Sequence, residues 1–151
     1  MTEQGPVELI HLVDSENSVI VRVVGATSAG LPGDGCLIAE IVAASEFANG
    51  RLAEVYLLPD DLDDWAEALD LLAAGQSVSW MEDGRNPEVR IELKGPYFSQ
   101  GETLNAVVVE VRDASVSLTS VRVLVRLPDD WVDAHRRRLD QVHKAWPLGA
   151  R

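Results

Sequence analysis

The sequence is poor in the residues that staple or anchor a chain. Of 151 residues one is a cysteine, Cys36, so no disulfide can close within the chain and no Cys/His zinc set can be built. No Asn-x-Ser/Thr sequon occurs, and with the lone cysteine this points to a reducing, cytoplasmic setting. No apolar run approaches the roughly 18 residues of a membrane span, and the opening MTEQGPVELI has an acid where a secretory leader has basic residues. No membrane partner is expected. Basic residues are also scarce: 13 Lys and Arg face 25 Asp and Glu, a formal charge of −12. Nucleic-acid affinity comes from neutralising phosphates, so no nucleic-acid partner is expected either. A more basic protein partner suits this charge.

What is present reads as one domain over residues 1–151, with a structured core over about 7–147. PVELIHLVD and SVIVRVVG alternate apolar and polar residues around Ser15-Glu16-Asn17, which predicts a hairpin. ATSAGLPGDG reads as loop, with Gly30, Pro32, Gly33 and Gly35 as turn markers. CLIAEIVAAS and RLAEVYLL make a second hairpin over 36–58, turned at Asn49-Gly50. Leu62, Trp65, Ala66, Leu69, Leu72 and Ala73 fall at spacings of three and four, predicting a helix over 60–74 that Gly75 ends. Asp60 is its expected N-cap, with Asp63 three residues on and Asp61 and Asp64 also in the first turn.

SVSWM and EVRIEL flank a turn-rich EDGRNP, GPYFSQGE reads as a loop, and TLNAVVVEVRD and VSLTSVRVLVRL complete the strands. A last helix over 130–146 carries Trp131, His135, Leu139, Val142 and Trp146 on one stripe, with Asp129 as cap and Pro147 as stop. The expected fold is α+β: a mostly antiparallel, curved or two-layer sheet of about seven to eight strands with both helices packed on it.

Candidate chemistry is thin. GATSAGLP has phosphate-loop spacing, but Leu31 and Pro32 stand where Lys and Ser/Thr would bind phosphate and magnesium. Four aspartates around a helix start radiate rather than converge, unlike a calcium loop. His135 and His143 lie eight apart, too far for a helical metal pair, and His135 on the apolar stripe reads as a core histidine. No G-x-S-x-G elbow occurs, and Cys36 at the head of an apolar strand reads as a small hydrophobe. No catalytic, cofactor-binding or metal-ligating residue is assigned, and no cofactor is expected.

Two Leu-Pro-Asp-Asp corners, at 58–61 and 127–130, invite a different reading. If folding brings the two acidic helix starts together, they make one patch for a partner. The candidate partner-binding residues are Asp60, Asp61, Asp64, Asp129 and Asp130, with Arg136 and Arg137 as a local basic patch and Trp146 as an aromatic anchor. The leading expectation is a non-enzymatic protein-binding domain. The alternative is an enzyme or small-ligand binder with a site inside the curved sheet.

Three segments carry a resemblance: AEIVAASEFANGRL, LPDDLDDWAEALDLLAAGQSVSWMEDGRNPEVRIEL and SVRVLVRLPDDWVDAHRRRLDQVHKAWP. They resemble an actinobacterial, Streptomyces-type domain family of unknown function over residues 7–147, which implies no activity and no catalytic residues. The order of strands, mid-chain helix, strands and final helix is similar to that of WapI-type immunity proteins. That likeness implies an immunity-like or regulatory role, in which a small acidic protein binds and neutralises a toxin.

Overall fold

The computed structural model describes residues 5–27, 35–82, 87–99 and 101–147. Four strands come first: β1 (Val7–Val13), β2 (Ser18–Thr27), β3 (Cys36–Ala44) and β4 (Asn49–Leu57). Helix α1 (Pro59–Ala73) follows, then β5 (Val78–Trp80), β6 (Glu88–Ser99), β7 (Glu102–Arg112), β8 (Ser120–Leu127) and helix α2 (Trp131–Ala145). Each group of four strands pairs antiparallel in sequence order, giving two open sheets, β1-β2-β3-β4 and β5-β6-β7-β8. The expected two-layer α+β architecture is what forms.

Alternation sets the layers, because a strand's side chains point to opposite faces in turn. Val19, Val21 and Val23 of β2, Leu37, Ala39 and Ile41 of β3, and Val107 and Val109 of β7 are all buried in one continuous core. The outer faces carry charge ladders instead. In the first sheet Arg22 bonds Glu8 and Glu40 on its two neighbouring strands, and Arg51 bonds Glu40 in turn. Partial burial raises the Glu8 pKa, but the bonds from His11, at 2.7 Å, and from Arg22 outweigh it and hold the carboxyl below its ordinary range. In the second sheet Glu92 meets Lys94 and Arg122.

An exposed strand edge is a template for unwanted pairing, and two edges here are closed by side chains from elsewhere. At β1, His135 of α2 accepts the His11 N–H at 3.0 Å. At β8, the β1–β2 turn reaches across between sheets: Asp14 accepts the Arg126 N–H at 2.9 Å and Asn17 donates to the Leu124 carbonyl at 2.7 Å. The same Asp14 carboxylate holds its own turn through the Glu16 and Asn17 N–H groups. Edge strand β4 carries a bulge, as its register with β3 slips between Ala39 and Ile41. Edge strand β5 has three residues.

Several local expectations are corrected. The second hairpin turns at Ser45–Ala48, where Ser45 N–H meets the Ala48 carbonyl, and Asn49-Gly50 already belong to β4. Gly50 matters for another reason: a Cβ there would come within 3.1 Å of Val121 on the facing sheet. GPYFSQGE is not a loop over its length. β6 runs to Ser99 and β7 starts at Glu102, so the segment forms the end of a long hairpin, with Gly95 and Gly101 at φ +90° and +80°. The turn markers Gly30, Pro32 and Gly33, most of EDGRNP and the final four residues lie outside the described residues.

The helix caps also differ. Leu58, not Asp60, is the α1 N-cap, because Pro59 with its fixed φ takes the first helical position. Asp61 therefore falls at the third position and reaches back to accept the Leu58 N–H at 2.9 Å. At the other end Gly75, at φ +84°, closes a Schellman turn in which the Gln76 N–H meets the Leu71 carbonyl at 2.9 Å. For α2 the N-cap is Asp130, without a side-chain capping bond, and Asp129 is not the cap. Its carboxylate instead takes the Asn105 amide at 3.0 Å.

Candidate functional site

The α1 segment turns at Gly75 and comes back as β5, so helix and strand lie side by side. Between them runs an open groove of about 510 Å³. Its helix wall is a stripe at three- and four-residue spacing, Asp61, Asp64, Ala68 and Leu71, with Glu67 beside it. Its other wall is β5 with its flanks, from Ser77 to Glu82. None of the lining residues is basic, and Asp64, Glu67 and Glu82 are solvent-exposed.

The floor is rigid. Trp80 Nε1–H donates to the Asp61 carbonyl at 2.8 Å, pinning β5 to the first turn of α1. Trp80 packs against Trp65 at 5.3 Å between ring centroids, and Trp65 meets His135 edge-on at 6.4 Å. Met81, which ends β5, is held at φ +61°, a left-handed conformation rare outside glycine and asparagine. Asp61 itself is 7% exposed, and its carboxylate faces the helix start. Replacing Asp61 with Ala strips the Leu58 N–H of its acceptor at the helix start and is expected to cost about 1 kcal/mol. Asp61→Asn, which keeps an oxygen, should cost less than about half of that, as read from urea denaturation.

A second groove, of about 620 Å³, lies at the start of α2 against the end of α1 and the β6–β7 hairpin. Here the charges answer one another. Arg136 donates to Asp133 at 2.9 Å and to Asp70 of α1 at 3.0 Å, and these bonds push its pKa above the ordinary arginine value. At the far end of the sheets a smaller apolar cleft, about 230 Å³, opens between Ile41, Leu52, Val111 and Val121. The exposed apolar side chains Phe47, Val116 and Leu118 stand on the β3–β4 and β7–β8 turns.

The partner-binding candidates from sequence scatter over these places. Asp61 and Asp64 line the α1–β5 groove, whereas Asp129 lines the α2 groove, so the two Leu-Pro-Asp-Asp corners do not share one patch. Asp60, Asp130 and Arg137 are exposed, but Asp61 is buried as a capping group and Arg136 is tied to two carboxylates. Trp146 is half-buried against the core, its Nε1 enclosed without an acceptor among the described residues, so it is not an exposed anchor. Among the described residues no three His, Cys, Asp or Glu side chains gather as a metal site.

A family model described as a family of unknown function (DUF5959) matches residues 7–147. The chain belongs to DUF5959. No curated protein and no solved structure gives a significant match. For this DUF5959 chain the site must therefore be read from its own geometry. Sequence reasoning missed Glu67, Ser79 and Glu82. Glu67 was within reach, since it follows Asp64 by three residues on a predicted helix. The other two become groove residues only because β5 folds back along α1.

Proposed function

We propose that this chain is a protein-binding domain that holds a more basic partner segment in the groove between α1 and β5. The observation that carries the reading is the groove's composition: three exposed carboxylates, Asp64, Glu67 and Glu82, around an apolar strip at Ala68 and Leu71, with no cation in the lining. Opposite charge steers encounter and fixes register, while the apolar strip supplies area that leaves water. An immunity-like or regulatory role fits such a surface, since a small acidic protein can neutralise a basic partner by covering it. The single cysteine is in keeping with a cytoplasmic site of action. The rival reading, a ligand site inside the curved sheet, finds its volume occupied by Leu9, Val21, Leu37 and Ile91, all 0% exposed.

The test is selective loss. Capture from native lysate is compared for the wild-type chain, for Asp64→Lys/Glu67→Lys/Glu82→Lys, and for Glu16→Lys/Glu46→Lys/Asp140→Lys. Both variants change three exposed acids and shift net charge equally. A retained protein that falls about tenfold or more with the groove variant, and stays within about threefold with the control, supports the reading. Equal loss in both, no retained protein, or retention abolished by Phe47→Ser/Leu118→Ser instead, overturns it.

A further inference from the structure

The groove has one wall that no helix face could provide. β5 is the last strand of its sheet, and among the described residues no strand lies on its other side. Antiparallel alternation shows which of its main-chain groups point there. Leu93 N–H reaches toward β5, donating to Ser77 Oγ at 2.9 Å. Residues two and four before it on β6, Ile91 and Val89, point the same way, and they pair with Val78 and Trp80. Ser79, between them, therefore turns its N–H and C=O to the free edge, along the groove. We infer that the groove takes its basic segment as an added β-strand on β5, with Ser79 as the central main-chain pair. This rests on the proposed reading of the groove as a site for a basic segment.

The dimensions agree. The helix wall from Asp61 to Leu71 spans ten residue steps, about 15 Å. An extended segment of about five residues spans the same length. Alternate side chains of an added strand point to opposite sides, so the segment is read in two ways. Lys or Arg side chains near Glu82 and Asp64 meet carboxylates at one end. An apolar side chain over Ala68 and Leu71 leaves water at the other. The ligand class is an extended, basic-to-apolar peptide segment of a protein partner, not a folded helix.

The three-residue length of β5 does not oppose this. A short edge discourages open-ended pairing, while α1 standing beside it limits entry to one strand. Met81 in its left-handed conformation ends the edge directly after Trp80 and carries the chain on to Glu82 at the groove mouth.

The probe is an acetylated, amidated hexapeptide alternating Lys and Val with a C-terminal Leu, titrated against the full chain and followed through backbone amide resonances. Strand addition predicts a parity effect. N-methylation of one alternating set of peptide amides weakens binding about tenfold, while methylation of the other set changes it by less than about threefold. Ser79→Pro should weaken binding to a similar extent and stay folded, because the lost N–H faces outward on an edge strand. Its folded state is checked by the dispersed resonances of the core. Binding that is indifferent to both N-methyl sets, yet lost in Asp64→Lys/Glu67→Lys/Glu82→Lys, overturns strand addition and leaves the acidic-groove reading standing. A probe that shifts no groove residue overturns both.

Discussion

Trp65→Ala is expected to destabilise the chain by about 3–5 kcal/mol, the usual range for removing a buried aromatic. Trp65 is 0% exposed and sits where four elements meet: its own helix α1, Trp80 of β5, His135 of α2 and, through His135, the edge of β1. Truncation opens a cavity that the rigid flanking rings cannot fill, so a cavity cost adds to the lost transfer free energy. For a domain with a total stability of about 5–15 kcal/mol, that is a large share. The companion variant is Trp65→Phe. The Trp65 Nε1–H meets no acceptor among the described residues, so removing it recovers a desolvation cost of about 1 kcal/mol or more. Phe is then expected to cost far less than Ala. Trp80→Phe should behave in the opposite way, because it removes the hydrogen bond that the Trp80 Nε1–H makes to the Asp61 carbonyl. Urea denaturation of the three variants orders them. A Trp65→Ala cost below about 1 kcal/mol would place the ring outside the core.

Much of the fold was legible in local pattern. Period two marks β1, β2, β6 and β8, and spacing of three and four marks both helices, because those periods are fixed by backbone geometry. The misses have identifiable causes. Asp60 looked like the α1 cap, but the preceding proline occupies the first helical position and moves the capping role to Asp61. Asn49-Gly50 looked like a turn by its dipeptide, whereas Gly50 is small because Val121 of the other sheet needs the space. GPYFSQGE looked irregular because Gly and Pro usually end strands. Here Gly95 sits at a register shift beside Leu93, and the hairpin continues past it.

The site was half legible, and the division is physical. Helical periodicity places Asp64, Glu67 and Leu71 on one side of α1 from sequence alone. Whether that side faces solvent, the other helix start or a strand edge depends on where β5 returns. The Schellman turn at Gly75 decides that, together with the Trp80 bond to Asp61. The two acidic corners fail to meet for a related reason: Asp70, near the end of α1, pairs with Arg136 in the second turn of α2, so the start of α2 lies by the end of α1. The recurring tetrapeptide makes two different corners, one closed by the Asp61 carboxylate on the Leu58 N–H and one with Asp129 bonded to Asn105, at opposite ends of the first helix.

Acidification from pH 6.5 to 5 is expected to remove about 1.5 kcal/mol of stability through one histidine. His135 is 2% exposed, between Trp131 and Trp65. Its Nδ1–H donates to the Trp131 carbonyl at 2.7 Å and its Nε2 accepts the His11 N–H at 3.0 Å, a pair of bonds that only the neutral ring can make. Burial pushes its pKa down from 6.5 to about 4, the Trp131 carbonyl opposes this, and the Arg138 and His11 charges add to it. The sign follows from proton counting. Well above pH 6.5 the ring is neutral in both states and contributes no slope. Between 6.5 and about 4 the unfolded chain takes up a proton that the native chain refuses, so stability falls with pH by up to about 1.4 kcal/mol per unit. Glu8 and Asp14, whose folded pKa values are lowered, add their own loss only as pH drops through and below the ordinary carboxylate range. The interval from 6.5 to 5 therefore isolates His135. Urea denaturation across it should show the slope in the wild-type chain and not in His135→Gln, which keeps a polar group without the titration. Parallel slopes in the two proteins would mean that His135 carries a proton in the native state, and that the edge of β1 is not closed by this ring.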